Sequence, residues 1–205
     1  MKLPILALLA LCATVSAQSA PAPSSAALSP GETVNGIYRN AEFGFTYRVP
    51  VGWVDRTEEM RKDSGDAAKS TVFLAVFEHP PEATTNDINS AVVIAAESVS
   101  SYPGLKNAAQ YFGPLGEVTA SRGLTAVNEP YEFPVDGKPV ARRDYTKQMG
   151  SLSMHQSTLA MLSRGYVLSF TFIGSNDDEV QRLFEWLKIG NSAKSAKNSP
   201  KASQP

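Results

Sequence analysis

The sequence predicts an α+β domain: an α/β/α sandwich built on a mainly antiparallel sheet. Three observations carry that prediction. Extended runs at residues 124–133, 138–147, 152–162 and 166–173 are divided by turn chemistry, with PVDG at 134–137 and SRG at 163–165. Runs so spaced read as a four-stranded antiparallel meander. After Ser175 the period changes: Val180, Leu183, Phe184 and Leu187 stand at i, i+3, i+4 and i+7, one apolar stripe of a helix. Nearer the N-terminus, GIYR at 36–39 and FTYRV at 45–49 flank a loop containing Gly44, which is a hairpin signal.

Before the hairpin lie two segments that do not read as domain. Lys2 precedes an apolar run over residues 3–15, and Val15-Ser16-Ala17 places small or modest residues where a signal peptidase reads. Residues 1–17 are therefore expected to be a secretory signal peptide, cleaved after Ala17. The run is shorter than the roughly 20 apolar residues of a membrane span, and no other segment is longer, so no stable membrane insertion is expected. Cys12 sits inside the run behind Leu11 rather than behind a small residue at its end, so it reads as part of the signal and not as a lipid-carrying cysteine. Residues 18–33, rich in Ala, Pro and Ser, are expected to be a disordered leader.

The domain is expected over residues 34–190. Beyond the hairpin, Pro50-Val51-Gly52 stops the second strand, and residues 55–70 read as a loop or a short helix around 56–62. Residues 71–77 (TVFLAVF) form a continuous apolar run, expected as a central strand ended by Pro80-Pro81. Residues 91–99 read as a strand, their alanines leaving helix open. Residues 106–112 are the first helix candidate, its extent limited by Pro114 and Gly116. In the strand 166–173, Tyr166, Leu168, Phe170 and Phe172 share one face, with Val167, Ser169, Thr171 and Ile173 on the other. Both faces are partly apolar, so both need covering. The final helix begins with a Ser175 cap and the acids Asp177, Asp178 and Glu179, and closes at Gly190. Residues 191–205, with Lys194, Lys197 and Lys201, are expected to be a disordered Lys/Ser tail.

Composition excludes several functions. Lys+Arg 19 against Asp+Glu 20 gives a net charge of -1, which removes the whole-protein electrostatic case for nucleic acid. One cysteine excludes a disulfide framework and a cysteine-rich zinc site, and two histidines argue against a histidine metal centre.

The order of certain residues adds a resemblance. Tyr38-Arg39-Asn40 is followed by Gly44-Phe45-Thr46-Tyr47 and Pro50-Val51-Gly52-Trp53. Later, His155-Gln156-Ser157 and then Arg164-Gly165-Tyr166-Val167-Leu168-Ser169-Phe170-Thr171 precede the acid-capped helix. This arrangement resembles the PsbP-like family, whose fold is shared with the Ran-binding nuclear-import factor of eukaryotes. Its motifs are aromatics, glycines and prolines and carry no chemistry. The resemblance implies a small accessory protein of the exported bacterial kind. The secretory signal argues against nuclear import, and no metal-ligand motif of the family matches here.

Candidate sites are sparse. His155 with Asp144 and Ser157 has the composition of a hydrolytic triad, but no Gly-x-Ser-x-Gly elbow exists, and a partly exposed strand histidine explains it better. On the strand 138–147, Arg142 and Asp144 share one face and Arg143 and Tyr145 the other. Arg143 with Tyr145 can present a guanidinium and a phenol to a carboxylate or phosphate; the plainer reading pairs Arg142 with an acid across the strand. Glu78 and His79 lack further ligands, and Gly113-Pro114-Leu115-Gly116 is no phosphate loop. Trp53 with Tyr38, Phe43, Phe45 and Tyr47 forms an aromatic cluster, either core or a ligand or partner surface.

The expectation is thus an exported, secreted or periplasmic, non-enzymatic accessory or binding domain engaging a protein or envelope component. The alternative is a small-molecule or lipid-binding domain with a pocket between sheet and helix, and less favoured still is a hydrolase. Arg143, Tyr145, His155, Trp53 and Tyr47 are the binding candidates, with no catalytic residue, metal or cofactor.

Overall fold

A computed structural model describes residues 28–64, 70–83 and 86–190. The expected signal peptide, residues 18–27 of the leader and the Lys/Ser tail lie outside the described residues. In chain order the elements are β1 (Glu32–Val34), β2 (Ile37–Asn40), β3 (Phe45–Arg48), β4 (Val54–Asp55), α1 (Thr57–Ser64), β5 (Ser70–Phe77) and β6 (Ala91–Ser98). Two 3-10 turns, Val99–Ser101 and Ala109–Tyr111, lead into α2 (Phe112–Ser121). Then follow β7 (Thr125–Ala126), β8 (Tyr131–Val135), β9 (Lys138–Met149), β10 (Leu152–Ser163), β11 (Tyr166–Gly174), α3 (Asp177–Glu185) and β12 (Leu187–Ile189).

The strands make two sheets, antiparallel at every pairing. The larger runs β4-β5-β6-β11-β10-β9-β7, with β8 also on the outer edge of β9; the smaller runs β1-β2-β3-β12. The expected meander is present as β8-β9-β10-β11. One face of the large sheet, carrying Leu159, Leu168, Phe170 and Phe172, packs against the small sheet's Phe45 and Tyr47 and against Val180 and Leu183 of α3. Edge-on ring pairs such as Phe45–Phe170, with centroids 5.1 Å apart, lock the two sheets together. On the opposite face Ala141, Ala160 and Val167 lie under Ala108, Tyr111 and Phe112. The α+β sandwich on an antiparallel sheet therefore stands, with a second sheet sharing one outer layer with α3.

Several expected boundaries move. Residues 28–33, counted with the leader, belong to the domain: Leu28 packs on the core, the Tyr38 hydroxyl donates to Pro30 O at 2.6 Å, and β1 pairs with β2. Gly31 has φ +74°, and a Cβ there would meet Arg39 O at 2.7 Å, so only glycine fits beneath the Tyr38 ring. The run 71–77 is a strand buried on both faces, but it lies next to an edge, not at the centre. Its outer edge is covered because β4 pairs only with Val76 and Phe77, and α1 takes over: Arg61 Nε donates to Val72 O at 2.6 Å, and Ala75 N–H donates to Thr57 Oγ1 at 2.9 Å.

The first helix expected over 106–112 begins only at Phe112 and runs past Pro114 and Gly116. Pro114 lies in the first turn, where amide hydrogens have no intrahelical partner to lose. The expected strand 124–133 is two strands split at Asn128-Glu129-Pro130. Pro134 and Val135 belong to β8, an edge strand that tolerates proline, and the turn narrows to Asp136 and Gly137, with φ 48° and 77°. The final helix is capped by Asn176 rather than Ser175: Glu179 N–H donates to Asn176 Oδ1 at 2.9 Å, while the Glu179 carboxylate receives Ser175 N–H and Oγ–H. It ends at Glu185, not Gly190, because Leu187 is taken into β12 by pairing with Tyr47.

Candidate functional site

The five sequence candidates do not converge. Arg143 and Tyr145 lie on the α2 face of the large sheet. His155 lies on the other face, its Nδ1 2.7 Å from Asp177 Oδ1 at the start of α3. Tyr47 is wholly buried between the sheets against Phe172, and Trp53 packs at the margin of the same core. As a ligand-contacting residue Tyr47 is thus corrected: it is core, and burial pushes its hydroxyl pKa up.

The triad contacts are not made either. Ser157 and Asp144 face each other across β10 and β9, yet Ser157 Oγ is buried without a partner. Asp144 is held by Arg142 Nε at 2.8 Å and Asn128 Nδ2 at 2.6 Å. Arg142 therefore pairs along its own strand, not across it. A base hydrogen-bonded to a nucleophile is the first requirement of covalent hydrolysis, and His155 is turned to Asp177 instead. His79 is clasped through its backbone by Asn89 at 2.9 and 3.0 Å. Among the described residues no three His, Cys, Asp or Glu side chains gather as metal ligands.

Arg143 and Tyr145 do come together. The guanidinium stands 5.8 Å from the centre of the Tyr145 ring, and Nε donates to Asn128 O at 3.1 Å. Its Nη1 reaches Phe112 O only at 3.5 Å. Tyr145 is 2% exposed, and its buried hydroxyl lies beside the Arg143 guanidinium and the Thr119 hydroxyl, the groups able to hydrogen-bond it. Burial pushes its pKa up; Arg143 and Thr119, close beside it, pull part of the way back.

A second feature was missed by sequence reasoning. Between the small sheet's β1 edge and α1 opens a cleft of about 420 Å³, lined by Glu32, Tyr38, Asp55, Glu58, Glu59 and both Arg56 and Arg61. Arg56 Nη2 pairs with Glu59 at 2.6 Å and lies over the Phe77 ring at 4.9 Å, while Arg61 pairs with Glu58. The Arg56 hydrogen bonds hold the Glu59 carboxyl below its ordinary pKa. Four carboxylates against two engaged guanidiniums make the cleft acidic. The i,i+3 charge pairs are visible in the sequence, but nothing there shows that a sheet edge lies opposite them. Glu32 was assigned to the leader for the same reason.

No family model matches the chain, and no curated protein matches it either. Among solved structures, cyanobacterial PsbP (CyanoP) from Synechocystis sp. PCC 6803 superposes with a TM-score of 0.51 and 18% identity, over 75% of this chain and 91% of that one. The fold is PsbP-like. Lower overlaps are seen with the Ran-binding protein Mog1p of Saccharomyces cerevisiae (TM-score 0.43, 10% identity, 73% of this chain and 92% of that one). LpqN of Mycobacterium tuberculosis, a protein involved in cell envelope biogenesis, overlaps at TM-score 0.39 and 14% identity, over 71% of this chain and 83% of that one. In this PsbP-like domain the Arg143–Tyr145 pair lies under α2, and the acidic cleft lies at the far edge of the sandwich, where α1 closes β5. Among the described residues no helix is long and apolar enough to cross a membrane.

Proposed function

We propose that this PsbP-like domain is an exported, non-enzymatic accessory module that binds a protein or envelope component through the acidic cleft between β1 and α1. One observation carries the reading: the cleft gathers Glu32, Asp55, Glu58 and Glu59 from three separate elements around an opening of about 420 Å³. Acidic rims of this kind select and steer basic partners. Export rests on the N-terminal run and the Val15-Ser16-Ala17 pattern.

The test is crosslinking and affinity capture from the native envelope, comparing the wild type with the double variant Glu58→Lys/Glu59→Lys. One dominant protein should crosslink to β1 and α1, and the variant should weaken capture by about tenfold. Capture that is indifferent to the charge reversal, or that maps away from the cleft, rejects the cleft as the docking site. Full-length, uncleaved protein in the cytoplasmic fraction rejects export.

A further inference from the structure

The small sheet has one closed edge and one open one. At β12 the Ile189 N–H donates to Asp136 Oδ2 at 2.9 Å, so the turn before β9 stops that edge. On the other side β1 pairs with β2 and with no further strand among the described residues. All three of its residues are exposed, and its free edge faces α1 across the cleft of about 420 Å³. An open edge with unpaired backbone groups is a template for an extended segment. The lining of the cleft adds a demand on charge. Glu58 and Glu59 are answered by Arg61 and Arg56, whereas Glu32 and Asp55 have no ion pair among the described residues. No lysine lines the cleft. Its lining side chains therefore carry a surplus of two negative charges, which suits a flexible chain bearing cations.

The protein supplies such a chain itself. Residues 191–205 follow Gly190 and carry Lys194, Lys197 and Lys201 with no acid among them, whereas residues 18–27, ahead of the domain, carry no lysine or arginine. The lysine segment starts close to the cleft. Glu32 pairs with Arg39, Arg39 with Thr46 and Thr46 with Lys188, so Glu32 and Lys188 stand in one row across the four strands. Three strand spacings amount to about 14 Å. Lys194 and Lys197 come six and nine residues after Lys188, a reach of up to roughly 20 and 30 Å. Single exposed ion pairs are weak, but so short a tether keeps the lysines near the cleft at an effective concentration on the order of millimolar. We propose that the lysine segment 191–205 occupies the acidic cleft of its own chain, along the free edge of β1, and is displaced when a basic partner docks. The cleft remains the docking surface of the proposed function, on which this rests, and the segment is its built-in competitor.

The test compares amide NMR spectra of the purified chain and of the variant Lys194→Ser/Lys197→Ser/Lys201→Ser, which keeps the length and removes the charge. The amides of Glu32, Thr33, Glu58 and Glu59 should differ between the two, and the difference should fade as salt rises from about 50 to about 500 mM. A synthetic peptide of residues 191–205 should move the same amides of the variant, saturably, toward their wild-type positions. It should bind the wild type about tenfold more weakly, because the cleft is already filled. Coincident spectra, or a peptide that leaves the cleft amides unmoved, would overturn the proposal. So would a difference that vanishes on dilution, which assigns the segment to the cleft of a second copy. The two readings fail separately. Envelope capture that maps to the cleft while the two spectra coincide keeps the docking surface and removes the self-docked segment. A peptide that saturates the cleft while capture ignores Glu58→Lys/Glu59→Lys keeps the segment and removes the partner reading.

Discussion

At the scale of single residues, Glu97 does more for the fold than its exposure suggests. From β6 its Oε1 accepts the Tyr111 hydroxyl at 2.7 Å, and its Oε2 accepts the Tyr102 hydroxyl. The two rings meet edge-on with centroids 5.4 Å apart. One carboxylate thereby ties the irregular segment between β6 and α2 to the sheet. Glu97→Ala should cost about 2–3 kcal/mol in urea unfolding, because two half-buried hydroxyls lose their acceptor together. Glu97→Gln, which keeps one acceptor, should fall between. An unchanged midpoint would mean that Ala108, Tyr111 and Phe112 hold the segment by packing alone. Glu97 was not legible as an anchor, since its partners stand 5 and 14 residues away and only the folded segment returns them to it.

At the scale of elements, local chemistry was a reliable guide where an element is self-sufficient. The hairpin β2–β3, the meander and the start of α3 all carry their own signals: a glycine loop, alternating apolar positions, an acidic first turn. The elements misjudged are those that neighbours define. β1 is three exposed residues, Glu32-Thr33-Val34, with no apolar pattern. It is a strand because β2 pairs with it and Tyr38 reaches Pro30. A chain starting at residue 28 should therefore melt several degrees above one starting at residue 34, since the shorter one leaves the buried Tyr38 hydroxyl without its acceptor and exposes the Leu28 contact. Equal melting temperatures would place the true boundary at residue 34. β12 follows the same logic. Leu187 continues the helical stripe of α3 in sequence, yet the free edge of β3 recruits it as a strand.

At the scale of the whole molecule, the packing shows itself in the tyrosines. Of seven, five have hydroxyl pKa values raised above the ordinary 10.0: Tyr38, Tyr47, Tyr102, Tyr111 and Tyr145. Burial is the largest cause in each, and the Glu97 charge adds to it at Tyr102 and Tyr111. A raised pKa for a group that is neutral when protonated gives stability that is whole below pH 10. That stability is lost as the pH climbs from the unfolded value through the folded ones. In an alkaline titration followed by tyrosinate absorbance, these five should ionise late and together with unfolding. Smooth, reversible titration of all seven near pH 10 would contradict the sealed core.

Composition and pattern alone determined that the chain carries an antiparallel sheet with helices packed on it, because strand alternation, turn residues and helix caps act within a few residues of one another; the PsbP-like character entered only as a resemblance in the order of aromatics, glycines and prolines. They also picked out Arg143 and Tyr145 as a pair, because a two-residue spacing on a strand places both on one face. They could not show that the same face lies under α2, that His155 turns to Asp177, or that Glu32 meets α1 across a cleft. Those facts rest on pairings between residues far apart in the chain, and such pairings exist only after the two sheets have packed and buried their aromatic faces.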